Sequence, residues 1–307
     1  MTSSENNYML KKCAAGASLF VSIMLIVLKF VAFIKTDSLA VFSSLIDSVT
    51  DLFASFISGV AVYFSMKPAN CKHRYGYGKS EALSALLQAI FVGASGVFVI
   101  FDGINRLFNP VEVAQTGVGI YVMLFSIFST VLLVLFQTYV ANKTNSLAIK
   151  ADRAHYVVDF LTNGAVVISL VLVELFDFVY FDVIAALFIS VYLIYNAYDL
   201  GKESIEQITD IELSDEIRSN IESLAKSCEG VMGVHDLRTR NAGDIYYIEL
   251  HVEMDGDISL YNAHIITDKV ERLLIETYPN SQIIIHQDPL GVDEARLDNK
   301  INNICKI

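Results

Sequence analysis

The first two thirds of the chain alternate between long apolar stretches and short polar connections. Apolar runs near residues 13–34, 39–65, 82–107, 117–141, 154–174 and 179–200 each reach the about 20 residues that a helix needs to cross a bilayer. Six transmembrane helices are predicted. After Gly201 the pattern changes to that of a soluble domain, with helical spacing of apolar positions near 214–228 and 259–277. Between them residues 244–254 alternate strictly. Tyr246, Ile248, Leu250, Val252 and Met254 take one face while Tyr247, Glu249, His251 and Glu253 take the other, the period of a half-buried strand. Short strands near 233–240 and 282–286 complete an α-β-β-α-β order, which predicts a small α+β domain with an open sheet and helices on one face. The expected division is a six-span domain over 1–201, a soluble domain over 202–292 and a polar C-terminal tail over 293–307.

Composition sharpens this picture, because 54% hydrophobic and 18% charged residues are too apolar for two soluble domains. Residues 1–201 hold 12 basic and 13 acidic side chains, whereas residues 202–307 hold 10 and 21. The acidic C-terminal part repels nucleic acid and attracts cations, so nucleic-acid binding is excluded. Cys13, Cys71, Cys228 and Cys305 are scattered without a C-x-x-C pair, which argues against a disulfide framework or a zinc knuckle and suits a reducing cytosol. Residues 1–12 are polar with two lysines, and no small-residue cleavage site closely follows the first apolar run, so an uncleaved first span is expected. Lysine and arginine gather in alternate connections: Lys11 and Lys12; Lys67, Lys72, Arg74 and Lys79; Lys143, Lys150 and Arg153; and Lys202. Only Lys35 and Arg106 lie in the others. The positive-inside rule therefore puts both termini and the soluble domain in the cytoplasm. Lys29, about a turn from the outer end of the first span, is expected to snorkel to the interface.

Two spans carry chemistry. Asp47 and Asp51 in the second and His155 and Asp159 in the fifth are each four residues apart, so each pair shares a helical face with Cβ atoms about 5–6 Å apart. A carboxylate near the bilayer centre costs roughly 2.5–3.5 kcal/mol, and three of them must be offset by pairing, protonation or a cation. Facing one another, the pairs supply three oxygens and one imidazole nitrogen, the ligand number of tetrahedral zinc. The bland reading is a set of protonated groups bonding helix to helix beside Ser43, Ser44, Ser48, Thr50, Thr162 and Asn163. A rise of 1.5 Å per residue leaves the two pairs at different depths, roughly 16 Å and 24 Å from the outer ends of their helices, which tilt or an outward-projecting fifth helix must absorb.

These residues resemble the cation diffusion facilitator family of six-span metal exporters, and the likeness runs over nearly the whole chain. Its D-x-x-x-D pair on helix two matches Asp47-Ser48-Val49-Thr50-Asp51, and its H-x-x-x-D pair on helix five matches His155-Tyr156-Val157-Val158-Asp159. The stretches from Arg74 to Glu81 and from Ile284 to Pro289 are also similar to bacterial zinc and ferrous-iron efflux members. The resemblance implies a homodimer with a ferredoxin-like cytoplasmic domain and a second metal site there, falling on His235, His251, His264, His286 and Asp288. Four of the chain's six histidines do lie in this acidic domain. A loop site patterned D-x-x-H-x-x-x-H is degenerate here, reading Asn70, His73 and Tyr77. Only His73 is kept, with Cys71 beside it as a soft alternative ligand.

The expected function is export of a divalent transition-metal ion, zinc or ferrous iron with cadmium as a further candidate, from the cytoplasm across the cell inner membrane in exchange for protons. No organic cofactor is implied. Metal and protons compete for the same four side chains, because a site that gives up its cation is left with buried charge. Mixed oxygen and nitrogen ligands disfavour calcium and magnesium and leave zinc, iron, cadmium, cobalt and manganese open. An intramembrane metalloenzyme would need an open coordination position and a general base, and no H-E-x-x-H motif is present. A metal-gated channel would need weak or multiple sites rather than one tight four-ligand site.

Overall fold

The computed structural model describes residues 3–36, 39–108, 117–176, 181–292 and 296–304. Within the helices some side chains, that of Asp47 among them, lie outside the described set. Six long helices come first: α1 (Ser3–Thr36), α2 (Leu39–Ser65), α3 (Ser80–Phe108), α4 (Gly117–Thr144), α5 (Leu147–Phe176) and α6 (Phe181–Ile208). They match the six predicted spans, with α5 beginning well before the expected 154. Among the described residues, Asn7–Lys35, Ser80–Asn105 and Tyr121–Thr144 are long and apolar enough to cross a membrane. Backbone contacts divide the chain between Ile205 and Glu206.

Within the first unit the bundle is organised by polar and small side chains rather than by large apolar ones, as expected where lipid is as apolar as leucine. On α1 the buried positions are Lys11, Ala14, Ala15, Ser18, Ser22, Leu25, Lys29 and Ala32. Steps of three and four residues make this one continuous helical stripe. Phe20, Ile23, Val27, Phe30 and Ile34 are exposed, as a lipid-facing surface would be. Glycines bring α3 close to α6: a Cβ on Gly96 would meet Leu193 and Ile194 side-chain atoms at 3.1 Å.

Lys29 therefore does not snorkel. Its side chain turns inward with the stripe, the residue is 5% exposed, and its Nζ donates to Ser48 Oγ of α2 at 2.7 Å. The expectation failed because it weighed distance from the helix end and neglected the helical face on which the residue sits.

Glu81, at the start of α3, ties four segments together. It accepts from Lys11 Nζ of α1 at 2.9 Å, from Ser65 Oγ of α2 at 2.8 Å and from Ser146 Oγ just before α5. Both charges are almost wholly buried. Glu81→Ala leaves the Lys11 ammonium buried without its carboxylate, which should cost about 3–5 kcal/mol. A sharply lowered melting temperature of the purified protein is the expected result, with Glu81→Gln recovering part of the loss through its remaining acceptor.

The second unit comprises α7 (Asp215–Ser227), β1 (Gly233–Ala242), β2 (Ile245–Met254), α8 (Leu260–Thr277), β3 (Ser281–Pro289) and α9 (Leu297–Ile304). The sheet runs in the order β1-β2-β3, antiparallel between the first two strands and parallel between the last two. Ile248, Leu250, Val252 and Met254, from one face of β2, form the core with Ile221 and Ala225 of α7 and Val270 and Leu274 of α8. The alternation read from the sequence is thus the real division of faces. Tyr247 is the departure: it lies on the opposite face yet is 5% exposed, with the Arg240 guanidinium 4.9 Å from its ring centroid. Residues 297–304 of the expected polar tail form α9, which is held against β1.

Candidate metal centres

In the bundle, α2 and α5 present their polar faces to one another. His155 Nε2 lies 2.9 Å from Asp51 Oδ1, and ligand atoms of Asp51, His155 and Asp159 all fall within 4.8 Å of one another. Asp51 is buried and the other two are half-buried. The depth difference between the pairs does not keep Asp51 from His155 and Asp159. Asp47 belongs to the same helix one turn earlier, with its side chain outside the described residues. Asn163 Nδ2 donates to the backbone carbonyl of Asp159 at 2.6 Å.

A polar network that the sequence analysis did not single out lies one turn back along α5. Asp152 is fully buried and accepts from Gln137 Nε2 at 2.6 Å and from Ser55 Oγ at 3.0 Å. The Tyr156 hydroxyl lies 2.9 Å from Ser55 Oγ and 2.5 Å from Ser22 Oγ. Asp152, His155 and Asp159 share one side of α5 by their spacing, so the carboxylate was visible as a third member of the same face. Its donors on α2 and α4 fix the rotation of the helix that carries His155.

In the soluble unit, strand register builds the second centre. His235 of β1 pairs with His251 of β2, and His251 pairs with His286 of β3. Three imidazoles therefore form a row across the sheet face opposite the core, with ring centroids 5.1 Å and 4.6 Å apart. Asp288, two residues beyond His286, projects from the same face. Its carboxylate reaches His251 Nδ1 at 2.8 Å, His286 Nε2 at 3.2 Å and His235 Nε2 at 3.4 Å. Among the described residues His235 Nδ1 is buried without a hydrogen-bond partner, the condition of a donor atom that a cation would satisfy. The residues fit a metal ion. His264, by contrast, stands on α8 with its Nε2 3.7 Å from Asp268 Oδ1, and it is in neither histidine grouping among the described residues.

Two further carboxylates stand beside the histidines: Asp236, which the sequence reading does not place there, and Glu253, which the alternation of β2 already puts on this face. A β-bulge shifts the register between His235 and Arg238, and Asp236 there takes a left-handed φ of 50°. This aims its carboxylate so that it groups with His235 and His251 while also accepting the backbone N–H groups of Leu297 and Asp298, each at 2.8 Å. Burial works to raise the Asp236 carboxyl, but the two N–H donors and the nearby histidines outweigh it and hold the group below its ordinary value. Glu253 pairs with Arg296 and lies 3.9 Å from His235 Nδ1. Its carboxylate occupies the space where a Cβ on Gly233 would stand.

The degenerate loop is a closed hydrogen-bond circuit. Asn70 Nδ2 donates to the Tyr77 hydroxyl at 2.8 Å, and that hydroxyl lies 2.9 Å from His73 Nδ1. Asn70 Oδ1 accepts from the backbone N–H groups of Lys72 and His73. Cys71 is exposed, and among the described residues neither it nor His73 joins a ligand grouping. His73→Ala should leave the stoichiometry of metal binding unchanged, and a loss of one bound ion per chain in that variant would establish a third site.

Two family models match the chain. Residues 16–209 match the cation efflux transmembrane domain, and residues 213–290 match the cytoplasmic domain of cation efflux proteins. The chain is 40% identical over 284 residues to the cation-efflux pump FieF of Yersinia enterocolitica, covering 92% of this chain and 94% of that one. It is 39% identical over 293 residues to protein p34 of Rickettsia rickettsii, covering 95% and 96%. Among solved structures, a putative zinc transporter CzrB in its zinc form is 32% identical, covering 28% of this chain and 98% of that one, with a TM-score of 0.26. The metal-bound C-terminal domain of the CzcD transporter from Thermotoga maritima is 29% identical, with a TM-score of 0.25 and coverage of 26% and 93%.

Proposed function

The chain belongs to the cation efflux family, the cation diffusion facilitators that its motifs resemble, and from that premise we propose that it exports a divalent transition-metal ion, zinc or ferrous iron and also cadmium, in exchange for protons. The family consists of multi-pass membrane transporters of divalent cations, not of enzymes. The observation that carries the reading is the meeting of Asp51, His155 and Asp159 across two membrane helices. A carboxylate and imidazole set in that place must be neutralised by cargo or by protons, so loading one unloads the other. Asp47 is the fourth ligand. Inward protons meet the site when it opens outward, and metal meets it when it opens to the cytoplasm.

His235, His251, His286 and Asp288 make the regulatory centre of the soluble unit, with Asp236 as a further ligand. His264 lies apart from it and joins only from a second copy of the chain or after rearrangement. The working form is a homodimer in the inner membrane with both termini cytoplasmic.

Reconstituted vesicles with a pH-sensitive dye inside test the reading. Zinc, iron(II), cadmium, cobalt and manganese are added in turn, and metal uptake is followed beside proton release. Metal movement that ignores an imposed pH gradient would overturn antiport, and uptake of none of these ions would overturn the export reading itself.

A further inference from the structure

The four transport ligands carry three carboxylates, so with a neutral imidazole a bound dication leaves one negative charge uncompensated inside the bundle. A buried net charge is costly. A resident cation stands beside this layer. Lys29 is 5% exposed, and its Nζ is 2.7 Å from Ser48 Oγ. Ser48 is fully buried and lies on α2 between Asp47 and Asp51. A lysine about a turn from the outer end of a membrane span normally reaches for the interface. This one is instead held on the stripe of α1 that packs on α2, at a serine next to Asp47 in sequence and three residues, less than one helical turn, before Asp51. Asp152, a further buried carboxylate among the described residues, accepts instead from Gln137 and Ser55.

We propose that Lys29 is the fixed counter-charge of the transport site. It lowers the charge of the ligand set from three negative to two, which matches one dication, and its repulsion of that dication keeps the bound ion exchangeable. A carrier has to release what it binds, and three carboxylates without an opposing charge would hold a dication too well. Lys29 is a positioning residue here: it acts on the cargo through the field it sets rather than by ligating it. The inference rests on the assignment of Asp47, Asp51, His155 and Asp159 as the transport site.

The test is cadmium transport by the full-length protein in vesicles, at one fixed alkaline pH that keeps proton competition low. Lys29→Met should lower the KM for cadmium by about tenfold and lower kcat as well, because the unopposed carboxylates bind the dication more tightly and release it more slowly. Lys29→Gln, which keeps a donor for Ser48, should behave in the same way, and Lys29→Arg should stay close to the parent. A purely structural lysine would lower kcat without lowering KM, and that result in both neutral variants overturns the proposal. So does Lys29→Arg failing as badly as Lys29→Met. Asp51→Ala, run in parallel, separates the two levels of the argument. Transport that survives in Asp51→Ala removes the site assignment, whereas its loss together with an unlowered KM in the neutral lysine variants removes only the role of Lys29.

Discussion

Replacing Asp51 or Asp159 by alanine is expected to reduce metal transport to background while the protein still inserts and folds. Each substitution removes one of three carboxylates from the proposed four-ligand set, and Asp51→Ala also deprives His155 Nε2 of its partner at 2.9 Å. A dication in the bundle that has lost one of its carboxylates is a buried charge without its partner, which costs about 3–5 kcal/mol, more than two orders of magnitude in the occupancy of the loaded state. Folding should survive. The bundle is tied elsewhere, by the Lys11–Glu81 pair and by the Asp152 network, neither of which includes the ligands. Uptake into vesicles beside a melting curve of each variant checks both halves. Either variant transporting at a parental rate would end the assignment, and a collapsed melting temperature would show that the carboxylates hold the fold instead. Asp47→Ala should behave like the other two.

The meeting of Asp51, His155 and Asp159 was legible because ionisable side chains four apart on two otherwise apolar helices have little reason to be there unless they face a partner or a cation. The strands of the soluble unit were legible from alternation, and its helices from spacing. Register was not, since nothing local states that His235, His251 and His286 stand opposite one another across three strands. The same limit explains Asp236, whose place in the cluster depends on a bulge and a left-handed backbone. Lys29 failed for a different reason. Its spacing of four and three from Leu25 and Ala32 puts it on the buried stripe, so the helical face, and not depth alone, decides where its side chain goes. His264 differs again: the resemblance names it, and within one copy of the chain it is in neither histidine grouping among the described residues.

Metal should stabilise the soluble unit strongly and draw two copies together. Residues 202–307 hold 21 acidic and 10 basic side chains, so apposed copies repel, and with a screening length of about 8 Å at physiological salt the repulsion is felt only between close surfaces. Bound dications on the histidine face would cancel it there. The unit has its own apolar core, so a fragment from Ile211 to Ile307 is a fair test. A ligand held only by the folded form at a hundredfold its Kd adds about 2.7 kcal/mol, and a domain of this size gains about 4–8 °C for each kcal/mol. A zinc-dependent rise of roughly 10 °C or more is therefore expected, reversed by a chelator and accompanied by dimer in sedimentation. The double substitution His251→Ala and His286→Ala should remove most of that rise while leaving the metal-free melting temperature nearly unchanged. Both side chains project from the face away from Ile248, Leu250 and Val252, and His286 is largely exposed. An unaltered melting temperature of the parent fragment with zinc would reduce the histidine row to a surface feature, and dimer formation without metal would mean that repulsion between the acidic faces is not what keeps the copies apart.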